Sequence, residues 1–509
     1  MTFSQADLEQ MAGLGIAAEE AERQLQFFAS SPAPLRIVRP CRPGDGIERL
    51  APERHDRLLA AWAEAARGGR LLKFVPASGA ASRMFGVLER FLDRVGGPGS
   101  GGPEADEELH ALIEGLHRLP SFSELRRAVE EAGDDLEALL DRQDYPALIR
   151  HLLDPSGLGL RERPKGLIGF HLYPSGARTA FEEHLAEGRG YLADRQGRCR
   201  FHFTVAPEHR PAFEAALEQA RGRGEAALDE VSFSVQSPAT HTIAVDEANR
   251  PFRSDDGQLL FWPSGHGALI ENLSQLQGDL VFIKNIDNIA PERFHPTTVH
   301  WKKLLAGYLV ELQQKIYDLL EALERQGKES PVLDEAFRFA ETGLAVWAPE
   351  EVRSADPEPR RRYLVDRLDR PLRVCGVVRN EAEPGGGPFW LEEGDAGQSG
   401  QIVEPGQVDR TSPEQLAIWR SSTHFNPVDL VCALRDRHGN PYDLHRFVDS
   451  STAFVSEKTH GGRKLKALER PGLWNGAMAG WNTVFVEVPP ETFTPVKTVL
   501  DLLRPEHQV

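Results

Sequence analysis

The pattern of apolar and polar residues predicts a chain that mixes helices and strands. Apolar residues recur at helical spacing over 1–70, and a run at 71–75 that is apolar apart from Lys73 predicts a buried strand. Small residues then form a turn at 76–82, and an amphipathic helix pattern begins directly after it. A strand, a turn and a helix in this order are typical of the opening of an α/β unit.

Later parts of the chain show the same two patterns. Residues 301–326 carry the clearest amphipathic helix pattern, with one continuous apolar face. Short apolar runs predict further strands at 201–205, 280–283, 372–378, 401–404, 429–434 and 483–488.

These elements predict a division of the chain into consecutive segments. An N-terminal helical region covers 1–68, and an α/β core covers 69–349 with a helical insertion near 104–155. Residues 350–370 are charged and contain prolines, which predicts a linker. A β-rich C-terminal section follows over 371–509.

Composition and charge then narrow the classes of function. The chain has 509 residues, of which 59 are Lys or Arg and 77 are Asp or Glu, so its formal charge is −18. Such a protein lacks the excess of cations that drives binding to a nucleic-acid backbone. No segment approaches the roughly 20 apolar residues that cross a bilayer, and no secretion signal pattern opens the sequence. We therefore expect a cytoplasmic protein without a nucleic-acid or membrane partner, and the oligomeric state is left open.

The turn after the first strand has the composition of an anion-binding loop. Its small residues leave backbone N–H groups accessible, and the helix that follows adds partial positive charge at its N-terminus. Arg83 supplies a cation in the first helical turn. The small residues in question are Ser78, Gly79, Ala80 and Ser82. No Gly-Lys-Ser/Thr follows, so this is not a Walker P-loop, and a plain tight turn is the alternative.

Lys165 is a second candidate for contact with an anion. It stands between Pro164 and Gly166, on stiff backbone from which an ammonium group can reach a phosphate. A surface lysine in a turn is the alternative interpretation.

Gln236 and His266 are candidates for binding a flat ligand. Gly265 and Gly267 flank His266 and allow the backbone to approach a ligand closely. Gln236 offers both a donor and an acceptor, as the edge of a pyrimidine or an amide requires. A structural or solvated histidine is the alternative.

Two further charged residues stand beside apolar runs. Asp287 follows the strand predicted at 280–283, and ligands of open α/β sheets bind beyond the carboxyl ends of strands. A single carboxylate there suits Mg²⁺, although a capping aspartate is the alternative. Lys497 lies in an otherwise apolar, strand-like run at 493–503, where it must reach either solvent or an anion.

The order of these motifs along the chain resembles that of the UDP-sugar pyrophosphorylases. These are the uridylyltransferases that act on glucose-1-phosphate, N-acetylglucosamine-1-phosphate and related sugar phosphates. The resemblance covers roughly residues 70–505 and is most specific at 263–267 and 495–503. The chain as a whole also resembles an uncharacterised bacterial family that is described only as a domain of unknown function.

The pyrophosphorylase resemblance implies a fold and an activity. The expected fold is α/β, with a Rossmann-like nucleotidyltransferase core of the glycosyltransferase-A type, a mixed sheet, an N-terminal helical segment and a C-terminal α+β section. The expected enzyme joins UTP, or another nucleoside triphosphate, to a sugar-1-phosphate and releases pyrophosphate, with Mg²⁺ as cofactor. Its expected partners are these two substrates.

The resemblance also implies roles for individual residues. Arg83, Lys165 and Lys497 would be the catalytic cations on the phosphates, and Asp287 would bind Mg²⁺. The nucleotide would be bound by Ser78, Gly79, Ala80, Ser82, Gln236, Gly265, His266 and Gly267. The sugar would be bound by Glu404, Asn426 and Asp429.

Two alternatives follow from departures within the motifs. Ser78 and Ala81 stand where the pyrophosphorylases have glycines, which leaves open a catalytically inactive protein that binds nucleotide sugars. A glycosyltransferase on the same core is the other alternative. That enzyme would need an Asp-x-Asp metal pair at a strand end, but position 285 is Asn.

Overall fold

A computed structural model describes residues 3–30, 34–79, 81–95, 107–224, 226–326, 330–381, 385–394 and 397–509. Ala80 of the small-residue turn lies outside these described residues, as do residues 104–106 at the start of the predicted insertion. Helices and strands occur together along the chain, so the predicted mixed α/β class is confirmed.

Sixteen helices are found in the described residues. They are α1 (Gln5–Leu14), α2 (Ala18–Ala29), α3 (His55–Arg67), α4 (Gly86–Val95), α5 (Glu107–Glu114), α6 (Phe122–Glu131), α7 (Leu136–Asp141), α8 (Tyr145–Leu153), α9 (Ala180–Leu192), α10 (Arg210–Gly222), α11 (Leu269–Gln275), α12 (His295–Gln326), α13 (Ser330–Leu344), α14 (Glu350–Arg353), α15 (Pro357–Leu368) and α16 (Pro413–Arg420). None of these helices is both long and apolar enough to cross a membrane.

The strands found in the same residues number nineteen. They are β1 (Ile37–Pro40), β2 (Arg42–Pro43), β3 (Gly46–Glu48), β4 (Leu71–Pro76), β5 (Gly169–Tyr173), β6 (Gly176–Thr179), β7 (Arg200–Val205), β8 (Glu230–Val235), β9 (Thr242–Ile243), β10 (Phe261–Trp262), β11 (Leu280–Lys284), β12 (Val346–Trp347), β13 (Leu372–Arg379), β14 (Gly387–Glu392), β15 (Gln398–Val403), β16 (His424–Ala433), β17 (Phe454–His460), β18 (Arg463–Glu469) and β19 (Asn482–Glu487).

Most of the predicted elements are present close to their expected positions. The apolar runs that predicted strands form β4, β7, β11, β13, β15, β16 and β19, and the amphipathic pattern at 301–326 belongs to α12. The described part of the predicted insertion forms α5–α8.

Three local predictions are wrong. The region 1–68 is not wholly helical, because α2 ends at Ala29 and the strands β1, β2 and β3 lie between it and α3. Residues 350–370 are not an irregular linker but contain α14 and α15. The prolines there do not break the helix, because Pro357 stands at the N-terminus of α15, where proline is tolerated.

The third error concerns the C-terminal run at 493–503. It forms no regular strand; residues Val499–Leu503 form a 3-10 turn instead. Asp501 is responsible, because its Oδ2 accepts hydrogen bonds from the backbone N–H groups of Lys497 and Thr498, at 2.8 and 2.7 Å. A side chain that caps two successive N–H groups holds the backbone in a turn.

The chain folds into two compact units that interleave in sequence. Unit 1 consists of Met1–Leu72, Ser234–Ile283 and Lys303–Val488, and unit 2 consists of Lys73–Phe233, Lys284–Lys302 and Pro489–Val509. The segments predicted from the sequence are consecutive, whereas each unit combines separate stretches of the chain. The predicted division into segments is not tested by these units and stays a prediction.

Four sheets lie in the described residues of unit 1. In the largest the strand order is β2-β3-β19-β13-β16-β11, with β13 parallel to β19 and antiparallel to β16. A second sheet has the order β1-β14-β15-β12, and the other two are the pairs β9-β10 and β17-β18. All ten residues of β16 are buried, which places this strand in the core of the unit.

Unit 2 contains most of β4, which runs parallel to β7 so that Lys73 lies opposite Phe201. Strand β8 follows β7 in the sheet order. Helix α9 begins at a capping box in which Thr179 and Glu182 exchange hydrogen bonds, and it is buried along most of its length. Its Phe181 packs edge-on against Phe203, with ring centroids 4.7 Å apart. Phe181 also contacts the rings of Phe213 and Phe233, so these side chains form an aromatic core in unit 2.

Candidate functional site

Three residues that the sequence singled out separately meet in unit 2. The Oδ2 atom of Asp287 accepts hydrogen bonds from Nζ of Lys165 at 3.1 Å and from Nζ of Lys497 at 2.9 Å. We refer to Lys165, Asp287 and Lys497 as the Lys–Asp–Lys cluster. Asp287 and Lys165 are partly buried, whereas Lys497 is exposed, so the cluster opens to solvent on the side of Lys497.

Local packing fixes the turn that carries Lys165. A Cβ atom on Gly166 would lie 2.8 Å from the ring of Phe213, so only glycine lets this turn pack against α10. The backbone N–H of Lys165 donates to the carbonyl oxygen of Gly79 at 3.2 Å. The small-residue turn and the turn of Lys165 are therefore joined directly.

Backbone hydrogen bonds likewise join the segments of Asp287 and Lys497. The N–H of Val496 donates to the carbonyl oxygen of Asp287 at 2.9 Å, and the N–H of Thr494 donates to Oδ1 of Asn288 at 3.2 Å. Asp287 lies three residues beyond the end of β11, as the rule for ligand sites of α/β sheets predicts.

The charges of the cluster shift the pKa values of its members. Burial acts to raise the pKa of Asp287, but the two ammonium groups outweigh it, so this pKa lies below its ordinary value. Burial lowers the pKa of Lys165, and the neighbouring Asp287 carboxylate opposes that shift only in part. Asp287 is therefore ionised at neutral pH, and its carboxylate can orient both lysine side chains.

The two carboxylate oxygens of Asp287 differ in their contacts. Its Oδ1 atom is buried and has no hydrogen-bond partner among the described residues. Within the same residues, no three His, Cys, Asp or Glu side chains form a group that could hold a metal ion. A hard cation that takes one protein carboxylate and completes its shell with phosphate and water oxygens fits this arrangement, and Mg²⁺ is such a cation.

The small-residue turn is held at both of its ends. The N–H of Ala77 donates to the carbonyl oxygen of Thr204 at 2.9 Å, and the N–H of Ala81 donates to that of Arg163 at 3.3 Å. Ala81 is only 1% exposed, so its methyl group points into the protein. Gly79 and Arg83 are exposed and Ser78 is half-buried. Ser82 begins the 3-10 turn Ser82–Phe85 that leads into α4.

A second candidate cluster lies in unit 1 and contains His266, Trp474 and Glu404. The rings of His266 and Trp474 are stacked, with centroids 4.0 Å apart and planes 6° from parallel. Nε1 of Trp474 donates to Oε1 of Glu404 at 2.9 Å, and Nε2 of His266 lies 3.9 Å from that same oxygen. We refer to these three residues as the His–Trp–Glu cluster.

Backbone contacts determine which nitrogen of His266 can act as a donor. Its Nδ1 accepts a hydrogen bond from the N–H of Leu473 at 2.9 Å, so the hydrogen of the neutral ring is on Nε2. Burial lowers the pKa of His266, and Glu404 opposes this shift. His266 therefore presents a neutral donor next to a carboxylate acceptor.

The two glycines beside His266 are required by packing. Gly265 has a φ of +71°, which favours glycine, and a Cβ on Gly267 would lie 2.3 Å from the carbonyl oxygen of Pro471. The sequence attributed both glycines to the approach of a ligand. The structure gives them a packing reason, and their contact with a nucleotide stays a prediction.

Gln236 joins the same part of unit 1 through Thr240. Its Nε2 donates to Oγ1 of Thr240 at 3.4 Å, and Oγ of Ser264 donates to the carbonyl oxygen of Thr240 at 2.7 Å. Gln236 thus belongs to the loop that supports the 264–267 turn. Its predicted contact with a base stays a prediction.

Asn426 and Asp429 lie in the interior strand β16, and each is 3% exposed. The N–H of Val428 donates to Oδ1 of Asn426 at 3.2 Å, and this bond accompanies a φ of +55° at Val428. The two side chains are therefore part of the packing of unit 1 in this conformation, and sugar binding by them stays a prediction.

Sequence reasoning missed several residues that shape these clusters. Trp474 was not among the candidates, although the N–H of a partly buried indole needs a partner and Glu404 supplies it. Asp501 was not considered, although it holds the backbone of Lys497. Lys73 and Lys284 each stand in an apolar run that forms a buried strand, and a charge in such a run is a signal that could have been used.

The chain is similar in structure to solved pyrophosphorylases. The uridine diphosphate N-acetylglucosamine pyrophosphorylase from Trypanosoma brucei, solved with an inhibitor, has 12% sequence identity and a TM-score of 0.48, and the match covers 98% of this chain and 79% of that one. A mutant UDP-glucose pyrophosphorylase from Leishmania major, in complex with UDP-glucose, has 13% identity and a TM-score of 0.45, with 99% and 80% covered. Similarity at this level carries no conclusion about activity.

Sequence comparison gives a more direct result. No curated protein matches the chain. A family model described as "Domain of unknown function (DUF4301)" matches residues 4–508, which is nearly the whole chain, and its description states no activity.

Proposed function

This chain belongs to the DUF4301 family, and we propose that it is a sugar-1-phosphate nucleotidyltransferase. It joins UTP, or another nucleoside triphosphate, to a sugar-1-phosphate and releases pyrophosphate. The observation that carries the proposal is the Lys–Asp–Lys cluster, in which two ammonium groups flank one carboxylate beside a turn of small residues.

The chemistry of such a transfer matches what the cluster can supply. A phosphate oxygen of the sugar-1-phosphate attacks the α-phosphorus of the triphosphate, the bond from that phosphorus to the bridging oxygen breaks, and pyrophosphate leaves with the electron pair. The attacking oxygen is already anionic, so the protein needs no general base. The barrier lies in bringing polyanions together, which fixed cations lower.

Each member of the cluster has a role in this proposal. Lys165, held by its bond to Gly79, binds the outer phosphates of the triphosphate next to the small-residue turn. Lys497, the exposed member, stabilises charge at the reacting phosphates. Arg83 adds a further cation at the turn. In unit 1, we propose Gln236 and His266 as contacts for the base and Glu404 as an acceptor for a sugar hydroxyl.

Asp287 would hold Mg²⁺ through its Oδ1 atom, since Oδ2 is occupied by the two lysines. Bound there, the ion would neutralise part of the charge on the phosphate oxygens. Asp287 itself orients both ammonium groups, and this function needs no ion.

A pyrophosphate-release assay tests the proposal. Four nucleoside triphosphates are combined with a panel of sugar-1-phosphates in the presence of Mg²⁺, using the wild-type chain and Asp287→Asn. We expect at least one pair to release pyrophosphate, with UTP preferred, and Asp287→Asn to abolish the signal.

The matched control is Asp255→Asn, because Asp255 is fully exposed in unit 1 and outside both clusters. If no pair releases pyrophosphate, or if Asp287→Asn keeps full activity, the proposed mechanism is wrong. Tight binding of a UDP-sugar without turnover would favour the inactive binding protein instead.

A further inference from the structure

A second group of charged side chains in unit 2 is buried and lies outside the Lys–Asp–Lys cluster. Oε1 of Glu187 accepts a hydrogen bond from Nζ of Lys73 at 3.0 Å, and Oε2 accepts one from Nζ of Lys284 at 2.6 Å. The three side chains are at most 1% exposed. One carboxylate of helix α9 is thus paired with ammonium groups from two strands.

The two lysines stand directly before the segments of the candidate site. Lys73 lies in β4, three residues before the turn that begins at Pro76. Lys284 is the last residue of β11, three residues before Asp287. Glu187 therefore joins the strand that leads into the small-residue turn to the strand that leads into the Asp287 loop.

Helix α9 makes two more contacts with the same segments. Nζ of Lys73 also donates to the carbonyl oxygen of His184 at 3.0 Å. The Nε2 atom of His184 lies 3.2 Å from the carbonyl oxygen of Ile286, the residue before Asp287. Burial keeps the pKa of His184 well below its ordinary value, so the ring is neutral and its Nε2–H is the donor to this carbonyl.

A gain in stability is a weak explanation for burying Lys73, Glu187 and Lys284 together. Taking two ammonium groups and a carboxylate out of water is unfavourable, and well-packed apolar side chains in their place often give an equally or more stable protein. Burial lowers the pKa of Lys73 to about 8 even though Glu187 opposes the shift. Unlike apolar contacts, the ion pairs fix the direction and the distance between Lys73 in β4 and Lys284 in β11.

We propose that Glu187 is a positioning residue of the nucleotidyltransferase site. Its carboxylate ties Lys73 to Lys284 and thereby holds the small-residue turn and Asp287 at a fixed separation, while His184 fixes the backbone next to Asp287. This inference rests on the proposed function for its catalytic consequence, but its structural consequence can be measured without any activity.

The test compares Glu187→Gln with Tyr191→Phe. The hydroxyl of Tyr191 donates to Oε1 of Glu187 at 3.1 Å, so its removal deletes a hydrogen bond to the same carboxylate and leaves both ion pairs in place. For Glu187→Gln we expect kcat to fall about 100-fold, the effect of misplacing a reacting group by about 1 Å. Amide exchange should become faster at 77–85 and at 284–288 together. Tyr191→Phe should change neither the rate nor this exchange.

A triple variant keeps the test decisive if Glu187→Gln does not fold. Lys73→Met, Glu187→Leu and Lys284→Met together remove both ion pairs, and the buried Lys302 loses the repulsion of two lysines along with the attraction of Glu187, so we expect a folded protein of about wild-type Tm. Its kcat should still fall about 100-fold, and exchange should still rise in both segments. Wild-type kcat and wild-type exchange in the triple variant would overturn the inference.

The two proposals fail in different ways. If the wild-type chain releases no pyrophosphate with any substrate pair, the proposed function fails, and the exchange experiment still decides whether Glu187 fixes the two segments. If the wild type is active and Glu187→Gln keeps full kcat and unchanged exchange, the positioning role fails while the proposed function stands.

Discussion

Nζ of Lys497 lies 2.9 Å from Oδ2 of Asp287, although 210 positions separate the two residues in sequence. The contact depends on the turn that Asp501 stabilises and on the hydrogen bond from Val496 to the carbonyl oxygen of Asp287. An exposed ammonium group is thereby fixed over a partly buried carboxylate. This geometry leads to the first of four predictions.

Replacing Lys497 by methionine should reduce activity without destabilising the protein. Lys497 is exposed, so the stem of the side chain is retained at little cost in packing, and only the cation is lost. We expect kcat for pyrophosphate release to fall on the order of 100-fold, the usual cost of removing one preorganised donor. Lys464→Met, on the exposed hairpin of β17 and β18, is the control and should have wild-type kcat. Equal kcat in the two variants would contradict the assignment.

Gly267→Ala should destabilise unit 1. The added Cβ would lie 2.3 Å from the carbonyl oxygen of Pro471, so the backbone has to move, and overpacking of this kind costs about 1–3 kcal/mol. Gly406→Ala is the control, because nothing lies within 4 Å of its Cβ position. Thermal or urea unfolding measures both variants. If Gly267→Ala is as stable as Gly406→Ala, the turn is not constrained as described.

The bond between Trp474 and Glu404 should appear as a coupling energy. Trp474→Phe keeps an aromatic ring against His266 but removes the Nε1–H, and Glu404→Leu removes the acceptor. In a double-mutant cycle on the free energy of unfolding, we expect a coupling of about 1.5–3 kcal/mol, the usual range for a hydrogen bond to a charged group. Strictly additive effects would mean that the bond does not form in solution.

Lowering the pH should reduce the free energy of unfolding because of the titration of His507. Oε1 of Glu183 lies 2.8 Å from Nδ1 of His171, and Nε2 of His171 lies 3.0 Å from Nδ1 of His507. Burial, followed by the charge of His171, lowers the pKa of His507 to about 3 in the folded chain from 6.5 for the free side chain. The unfolded chain therefore binds a proton between these values that the folded chain does not.

The free energy of unfolding should fall as the pH decreases from about 6.5 towards 3, with His507 contributing up to about 1.4 kcal/mol per pH unit. His507→Gln should remove that share of the slope, whereas His110→Gln, at an exposed position, should leave it unchanged. Urea unfolding at several pH values measures the slopes. An unchanged slope in His507→Gln would show that the imidazole is already protonated in the folded state.

The sequence by itself identified the secondary structure around the site. The largely apolar runs at 71–75 and 280–283 were sufficient to place β4 and β11, because a strand that is buried on both faces is rich in apolar residues. The turn after the first run marked Gly79, the end of the second run marked Asp287, and the position between Pro164 and Gly166 marked Lys165 as candidates. The strand prediction failed at 493–503, because the backbone N–H groups of Lys497 and Thr498 donate to Asp501 and hold a turn there. The Thr498-x-x-Asp501 spacing of a capping box was the local signal for this turn.

The sequence therefore determined which residues could carry charge to a ligand, and the tertiary structure alone decided which of them meet. Lys165, Asp287 and Lys497 come from three distant segments, and only the folding of unit 2 brings two ammonium groups to one carboxylate. Asn426 and Asp429, which only the resemblance to the pyrophosphorylases indicated, are enclosed in β16. The chemistry of a side chain can be read from the local sequence. Whether it is buried, and which other side chains it meets, depends on contacts between residues that are hundreds of positions apart.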